Sequence, residues 1–249
     1  MLDLAEDYNA GLQPNPYNFK KSRHLSSNNL AEIDEDFHDY KKLFTGNRDF
    51  VARKTKEDPE YFTRLVNTQT PKYVLIGCSD SRVPPDQLTN TNPGEIFIHR
   101  NVANLVVNTD NNIMSVLQYA IEVLKVKHVI VMGHYGCGGV KASMEHQPHG
   151  LIDKWLRNIK DVQRLHWDEL NSIDDPEQRW RRLVELNVRE QALNVCKTRI
   201  VQQAWEKGFN VHVHAWVYEL ATGHIKDLEI LEKDWLDIKP IYELDCTEE

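Results

Sequence analysis

The sequence predicts an α/β fold: a mainly parallel central sheet flanked by helices, with an N-terminal helical arm. Three observations predict it. Short apolar runs at 72–77 and 128–132, closed by Gly77 and Gly133, suit strands buried on both faces. Segments with apolar residues at helical spacing separate these runs. Strands alternating with helices, without repeats or a dividing linker, imply parallel pairing under a helical cover.

In chain order, residues 1 to about 30 carry Gln13-Pro14, Asn15-Pro16 and a Ser-Ser-Asn-Asn run, and are expected to form a tail or an arm on a partner subunit. The arm is taken as 1–50 and the α/β domain as 51–249. Helical spacing appears over 30–45 and 58–66, the latter opened by Asp58-Pro59-Glu60. Strands are expected at 72–77, at 95–99 after the turn Asn92-Pro93-Gly94, and at 128–132. Residues 112–124 and 151–165 show helical stripes, and 177–206 reads as one long helix or two with a kink. Val211, Val213, Ala215 and Val217 alternate as a strand, and Thr222-Gly223 turns the chain into a last strand at 225–230.

Bulk properties narrow the function. The chain has 249 residues, 41% hydrophobic and 27% charged, and a net charge of −8, which argues against nucleic acid as a partner. No apolar run is long enough to span a bilayer, and the acidic, proline-containing start lacks the marks of a signal or transit peptide. A cytoplasmic protein without a membrane partner is expected. Four cysteines, Cys78, Cys137, Cys196 and Cys246, are too sparse for a disulfide framework and suit metal ligation or nucleophilic chemistry in a reducing compartment.

The chemistry lies just after two of the strands, in Cys78-Ser79-Asp80-Ser81-Arg82 and in Gly133-His134-Tyr135-Gly136-Cys137-Gly138-Gly139. Open α/β sheets bind ligands beyond the carboxyl ends of their strands. If these two strands are neighbours, Cys78, His134 and Cys137 converge, and Cys₂His is a ligand set of catalytic zinc that leaves a fourth position for water. Asp80 projects to the same side as Cys78 and can reach the metal or its water. Arg82 is placed to hold Asp80 as a bidentate pair and keep it ionised. The glycines allow close backbone approach. Either motif alone is weak; the pair, each after a strand ending in glycine, is specific.

The stretches CSDSRVPPDQL, PGEIFIHRNVANLV and GHYGCGGVKA resemble the β-class carbonic anhydrases, over about residues 58–228. HRNVAN followed by TDNNIMSVLQYA resembles the bacterial-type branch. The resemblance implies one zinc ion per subunit on Cys78, His134 and Cys137, with Asp80 able to join as a fourth ligand in a closed form. It implies Asp80 and Arg82 as the catalytic dyad, a dimer or tetramer, and reversible hydration of CO2 to bicarbonate and a proton by zinc-bound hydroxide. It also implies a substrate pocket near Tyr119, Gly138 and Gly139, a core aromatic being the competing reading of Tyr119. Bacterial-branch members carry a second, inhibitory bicarbonate pocket. Arg100 and Tyr218 match it, but its tryptophan position holds Leu75.

Two other readings keep the zinc site: hydrolysis of CS2 or COS, and a non-catalytic, zinc-stabilised bicarbonate-binding protein. A thiol redox role for Cys78 and Cys137 is a third. His99 is expected to be structural. His146 and His149 are read as surface residues, with proton shuttling the alternative. His212 and His214 share one face of a strand, expected to be exposed or at an interface, with metal binding the alternative. The last residues are expected to form a solvated acidic end.

Overall fold

The computed structural model describes residues 27–66, 69–230 and 232–246. The proline-containing stretch expected as a tail or arm falls almost wholly outside them. Ten α-helices occur among the described residues: α1 (Ser27–Glu57), α2 (Tyr61–Val66), α3 (Pro85–Thr89), α4 (Asn111–Gln118), α5 (Gly138–Met144), α6 (Asp153–Leu165), α7 (Trp167–Asn171), α8 (Pro176–Cys196), α9 (Arg199–Glu206) and α10 (Glu232–Tyr242). The strands are β1 (Tyr73–Cys78), β2 (Ile96–Asn101), β3 (His128–His134), β4 (His212–Glu219) and β5 (His224–Asp227).

The chain divides into two units at Arg64/Leu65. In the first unit α1 runs unbroken through Gly46, and Phe50 meets Tyr61 and Phe62 edge-on. Asp58 accepts a hydrogen bond from the Glu60 amide and pairs with Arg64, but α2 begins only at Tyr61, so Asp58-Pro59-Glu60 is a turn ahead of the helix and not its first residues.

In the second unit the strand order is β2-β1-β3-β4-β5; the first four are parallel and β5 is antiparallel to β4. The chain goes from β1 to β2 on one side and returns to β3 on the other. The switch point, where such sheets bind ligands, therefore lies between the carboxyl ends of β1 and β3. Residues 74–78 and 129–134 are buried throughout, which accounts for their continuous apolar character. One face of the sheet carries the main core, including Val74, Ile76, Val129, Val131, Ala215 and Val217. The other carries a smaller cluster of Leu75, Val83, Ile130, Met132 and Tyr218.

The helical stripe expected over 112–124 starts as α4, capped by Asp110, and ends in a π-helical turn, Tyr119–Val123, closed by Leu124 N–H to the Tyr119 carbonyl at 3.0 Å. The expected long helix is two, α8 and α9, the second capped by Thr198. The C-terminal residues fold as α10, and Gln202 holds the chain beyond it, donating to the Tyr242 carbonyl and accepting from Leu244 N–H.

Helix α8 also fixes the loop after β2. Ala103 and Asn104 have φ of 64° and 50°, a left-handed conformation that costs about 1 kcal/mol per residue outside glycine. Asn187 Nδ2 donates to the Ala103 carbonyl at 3.1 Å, Val106 N–H donates to Gln191 Oε1 at 2.8 Å, and Asn194 Nδ2 donates to the Val106 carbonyl at 3.2 Å. Three amides one helical turn apart thus satisfy a buried loop that would otherwise leave backbone groups unpaired.

Gly133 shows why a glycine precedes the last residue of β3. A Cβ there would lie 2.5 Å from Val188 Cγ2 on α8 and 3.1 Å from Asn104 Oδ1, and both neighbours are buried. Gly133→Ala must push β3 and α8 apart. We expect a loss of about 2 kcal/mol, read as a melting temperature lower by roughly 5 °C. A melting curve superimposable on wild type would show that the helix yields without cost.

Candidate active site

Cys78 is the last residue of β1 and His134 the last of β3, so the sheet brings them side by side. Gly136, at φ 73°, turns the chain back so that Cys137 stands at the N-cap of α5. All three side chains are buried, and their ligand atoms lie within 4.8 Å of one another. The two sulfurs are 3.9 Å apart. Two thiolates on one tetrahedral zinc at about 2.3 Å each stand about 3.8 Å apart.

The His134 ring supplies the decisive test of fit. Its Nδ1 lies 3.0 Å from the Tyr135 carbonyl, so Nδ1 carries the proton and donates. Its Nε2 is then a bare lone pair, fully buried and without a hydrogen-bond partner among the described residues. A buried acceptor without a partner costs about 1–3 kcal/mol, unless a cation takes the lone pair.

The thiols agree. Cys78 is drawn down to about 4 by its hydrogen bond with Cys137, against the opposing effect of burial. Cys137 is pushed up by the same bond and by burial. Without a cation the pair keeps one proton; two thiolates side by side need a positive ion between them. Burial works to lower His134, and the Cys78 sulfur, the Tyr135 carbonyl and Asp80 outweigh it, so its net shift is upward: without a metal ion the Nε2 lone pair attracts a proton in the place a cation would take.

Asp80 faces this cluster, with Oδ2 3.7 Å from His134 Nε2. Arg82 grips it with Nε to Oδ1 at 2.9 Å and Nη2 to Oδ2 at 2.7 Å, and the Arg82 amide adds a third bond to Oδ1 at 3.0 Å. These bonds hold the carboxylate well below the usual range, ionised at any physiological pH. The expected bidentate pair is present, and it holds Asp80 beside the Cys78, His134 and Cys137 cluster.

A family described as carbonic anhydrase matches residues 73–225. A carbonic anhydrase of Emericella nidulans is 50% identical over 212 residues, covering 84% of this chain and 92% of its own. The structure of a Coccomyxa β-carbonic anhydrase in complex with acetazolamide is 38% identical, with a TM-score of 0.75, over 82% of this chain and 92% of that one. The chain belongs to the β-class carbonic anhydrases.

A tetrameric β-carbonic anhydrase of the filamentous ascomycete Sordaria macrospora is similar too, 34% identical with a TM-score of 0.73 over 77% of this chain and 97% of its own. The relatives of higher identity are fungal, plant and algal, and bacterial ones match at about 30% or less, so the comparisons carry the class and not the bacterial-type branch read from HRNVAN. This anhydrase has no helix, among its described residues, long and apolar enough to cross a membrane.

The other expected residues of this anhydrase fall at several places. Tyr119 stands half-exposed on the π turn with its ring 5.8 Å from that of Phe97. Gly138 borders open space, whereas a Cβ on Gly139 would lie 2.9 Å from Val102 Cγ1. Arg100 spends its guanidinium on backbone, Nε donating to the Cys78 carbonyl at 2.8 Å and Nη2 to the Asp80 carbonyl at 2.5 Å. Tyr218 lies across from His134 on β4, buried with Leu75.

Sequence reasoning missed the support beneath His134. The Tyr135 hydroxyl donates to Glu185 Oε1 at 2.5 Å, and Lys226 and Arg182 bind the same carboxylate at 2.7 Å each. Arg181 lies over the Tyr135 ring at 3.7 Å. This frame fixes the residue whose carbonyl orients His134. Glu185 in a charged helical stretch gave no sign of being buried.

Proposed function

We propose that this carbonic anhydrase holds one zinc ion on Cys78, His134 and Cys137, and that Asp80 and Arg82 form its catalytic dyad. The observation that carries this reading is the buried, unpartnered Nε2 of His134 between two thiols. Zinc bound there lowers the pKa of water to about 7 and so supplies a nucleophile at neutral pH. Asp80 Oδ2 accepts a hydrogen bond on the open side of the cluster and orients the attacking oxygen's lone pair toward the carbon of CO2. Arg82 keeps Asp80 ionised and off the ligand position. Arg100, bonded to the carbonyls on both sides of Ser79, braces the loop that carries Cys78 and Asp80.

Gly138, beside open space at the start of α5, and Tyr119 are assigned to the substrate side. Self-association to a dimer or tetramer is supported by the exposed apolar side chains Ile98, Val102, Tyr119 and Val123 and by the tetrameric Sordaria relative. The two ligand thiols must stay reduced, which fits the cytoplasm. The test is zinc content and stopped-flow CO2 hydration at pH 7 and 8.5. About one zinc per chain at Cys78, His134 and Cys137 and fast turnover at both values are expected. Activity confined to the higher pH would mean that Asp80 closes the site, and inactivity with zinc bound would favour CS2 or COS.

Inhibition by bicarbonate through a second pocket is not expected. Leu75 is fully buried beside Tyr218 where that pocket needs an indole N–H, and Arg100 is already committed to two carbonyls. A bicarbonate titration should show simple product inhibition. A cooperative curve would refute this.

A further inference from the structure

The opposite end of the sheet, at the amino ends of the strands, holds a second concentration of metal-ligating side chains that the hydration chemistry does not use. His128 opens β3 and His212 opens β4, and the two are register partners. His214, two residues on, projects from the same face. His128 Nδ1 lies 3.0 Å from His214 Nε2. The centroids of these rings are 5.2 Å apart, about the spacing of two imidazoles joined nitrogen to nitrogen. They therefore meet edge-on, although their planes differ by only 28°. The His212 ring also lies 5.2 Å from that of His128, centroid to centroid, and is exposed.

We propose that His128 and His214, with His212 as third ligand, form a second, nitrogen-donor site for a divalent transition metal of the nickel, copper or zinc type. Two imidazoles on one tetrahedral ion at about 2.0–2.1 Å stand about 3.3 Å apart, so the pair need open by only a few tenths of an ångström and tilt toward the ion. His212 must swing inward, and its exposure leaves it free to do so. One nitrogen of the close pair carries the shared proton. On metal binding that proton leaves the bridging nitrogen and the ring's other nitrogen takes one up, so both rings stay neutral and no net proton is released.

The surroundings favour neutral ligands. Burial is the largest influence on both His128 and His214 and lowers both; the other histidines lower them further, while Asp227 opposes the shift at His214. These influences favour the neutral form of both rings. Among the described residues no carboxylate is hydrogen-bonded to either ring. Asp227 acts on His214 and Lys127 on His128, and the exposed Lys72 and Lys125 line the adjoining groove. Charges on exposed lysines are screened within about 8 Å at physiological ionic strength, and imidazole affinity for these metals rests on the coordinate bond. Beside the pair opens a cavity of about 350 Å³ lined by Tyr73, Thr89, Thr91, Ile96 and Trp216, with room for water to complete the coordination.

The test is equilibrium dialysis of the zinc-loaded, untagged full chain against Ni²⁺, with zinc measured in the same samples. About one Ni²⁺ per chain is expected without loss of zinc. His128→Gln and His214→Gln should each weaken uptake tenfold or more with CO2 hydration unchanged, which also reports that they fold. His212→Gln changes an exposed residue, so its fold is not at risk, and a several-fold loss is expected. Nickel uptake matched by zinc release, no uptake, or equal uptake by wild type and all three variants would overturn the proposal.

Discussion

Cys137→Ser should abolish zinc retention and CO2 hydration together while leaving the fold intact. Cys137 combines two roles that serine separates. Its sulfur is 3.9 Å from that of Cys78 and completes the buried ligand group. Its backbone is the N-cap of α5, at φ −69° and ψ 116°. Serine is among the preferred N-cap residues, so helix α5 loses nothing and gains a side-chain acceptor. As a ligand, however, a neutral hydroxyl cannot replace a thiolate, and the lone pair of His134 would be left with one sulfur beside it. The hydration rate should fall by about a thousandfold or more, toward that of water, because the nucleophile at neutral pH goes with the metal. Metal analysis, circular dichroism and stopped-flow hydration on one preparation decide the matter. A folded Cys137→Ser protein with one zinc per chain and wild-type turnover would disprove the ligand assignment.

Much of this was legible in the sequence, for identifiable physical reasons. The β1 and β3 segments are buried on both faces, so they read as continuous apolar runs, and the residues that follow such strands at a switch point meet in space. That is why Cys78, His134 and Cys137 could be placed together before any coordinates. Features that rest on single side chains deep in the structure were not legible. The buried face of α8 carries Asn187 and Gln191, which count as polar in any periodicity although each serves the strained loop at Ala103 and Asn104. Gly133 looked like the end of a strand, but β3 continues to His134 and the glycine is there for the approach of Val188. The π turn at Tyr119 has no local signal, since its extra residue alters the hydrogen-bond ladder and not the apolar spacing. Helix α10 was not predicted, and the residues after it are tied down by a glutamine some forty positions earlier in the chain, while Glu248-Glu249, read as part of the acidic end, lies outside the described residues.

Arg82→Ala should produce an enzyme whose activity depends steeply on pH. Arg82 is 58% exposed at its side chain, so its loss removes little packing, and the effect falls on Asp80. Two of the three bonds to the Asp80 carboxylate come from the guanidinium. Without them its pKa rises from its lowered position toward the ordinary carboxylate value, still below both pH 7 and pH 8.5. Protonation of Asp80 therefore cannot be the cause of any pH effect in this range. Position can. Asp80 Oδ2 is already 3.7 Å from His134 Nε2, and ligands on one tetrahedral ion stand about 3.3 Å apart. A freed carboxylate needs to move only a few tenths of an ångström to compete for the open position. Hydroxide is about thirtyfold more concentrated at pH 8.5 than at pH 7, so the competition tilts back toward activity as pH rises. The expected result is a loss of about 10–100-fold in kcat at pH 7 and a clearly smaller loss at pH 8.5. Arg82→Lys should restore little, because an ammonium offers a point charge where the fork made two parallel bonds. An equal loss at both pH values would mean that Arg82 acts on the reaction directly, and no loss at either would remove it from the dyad.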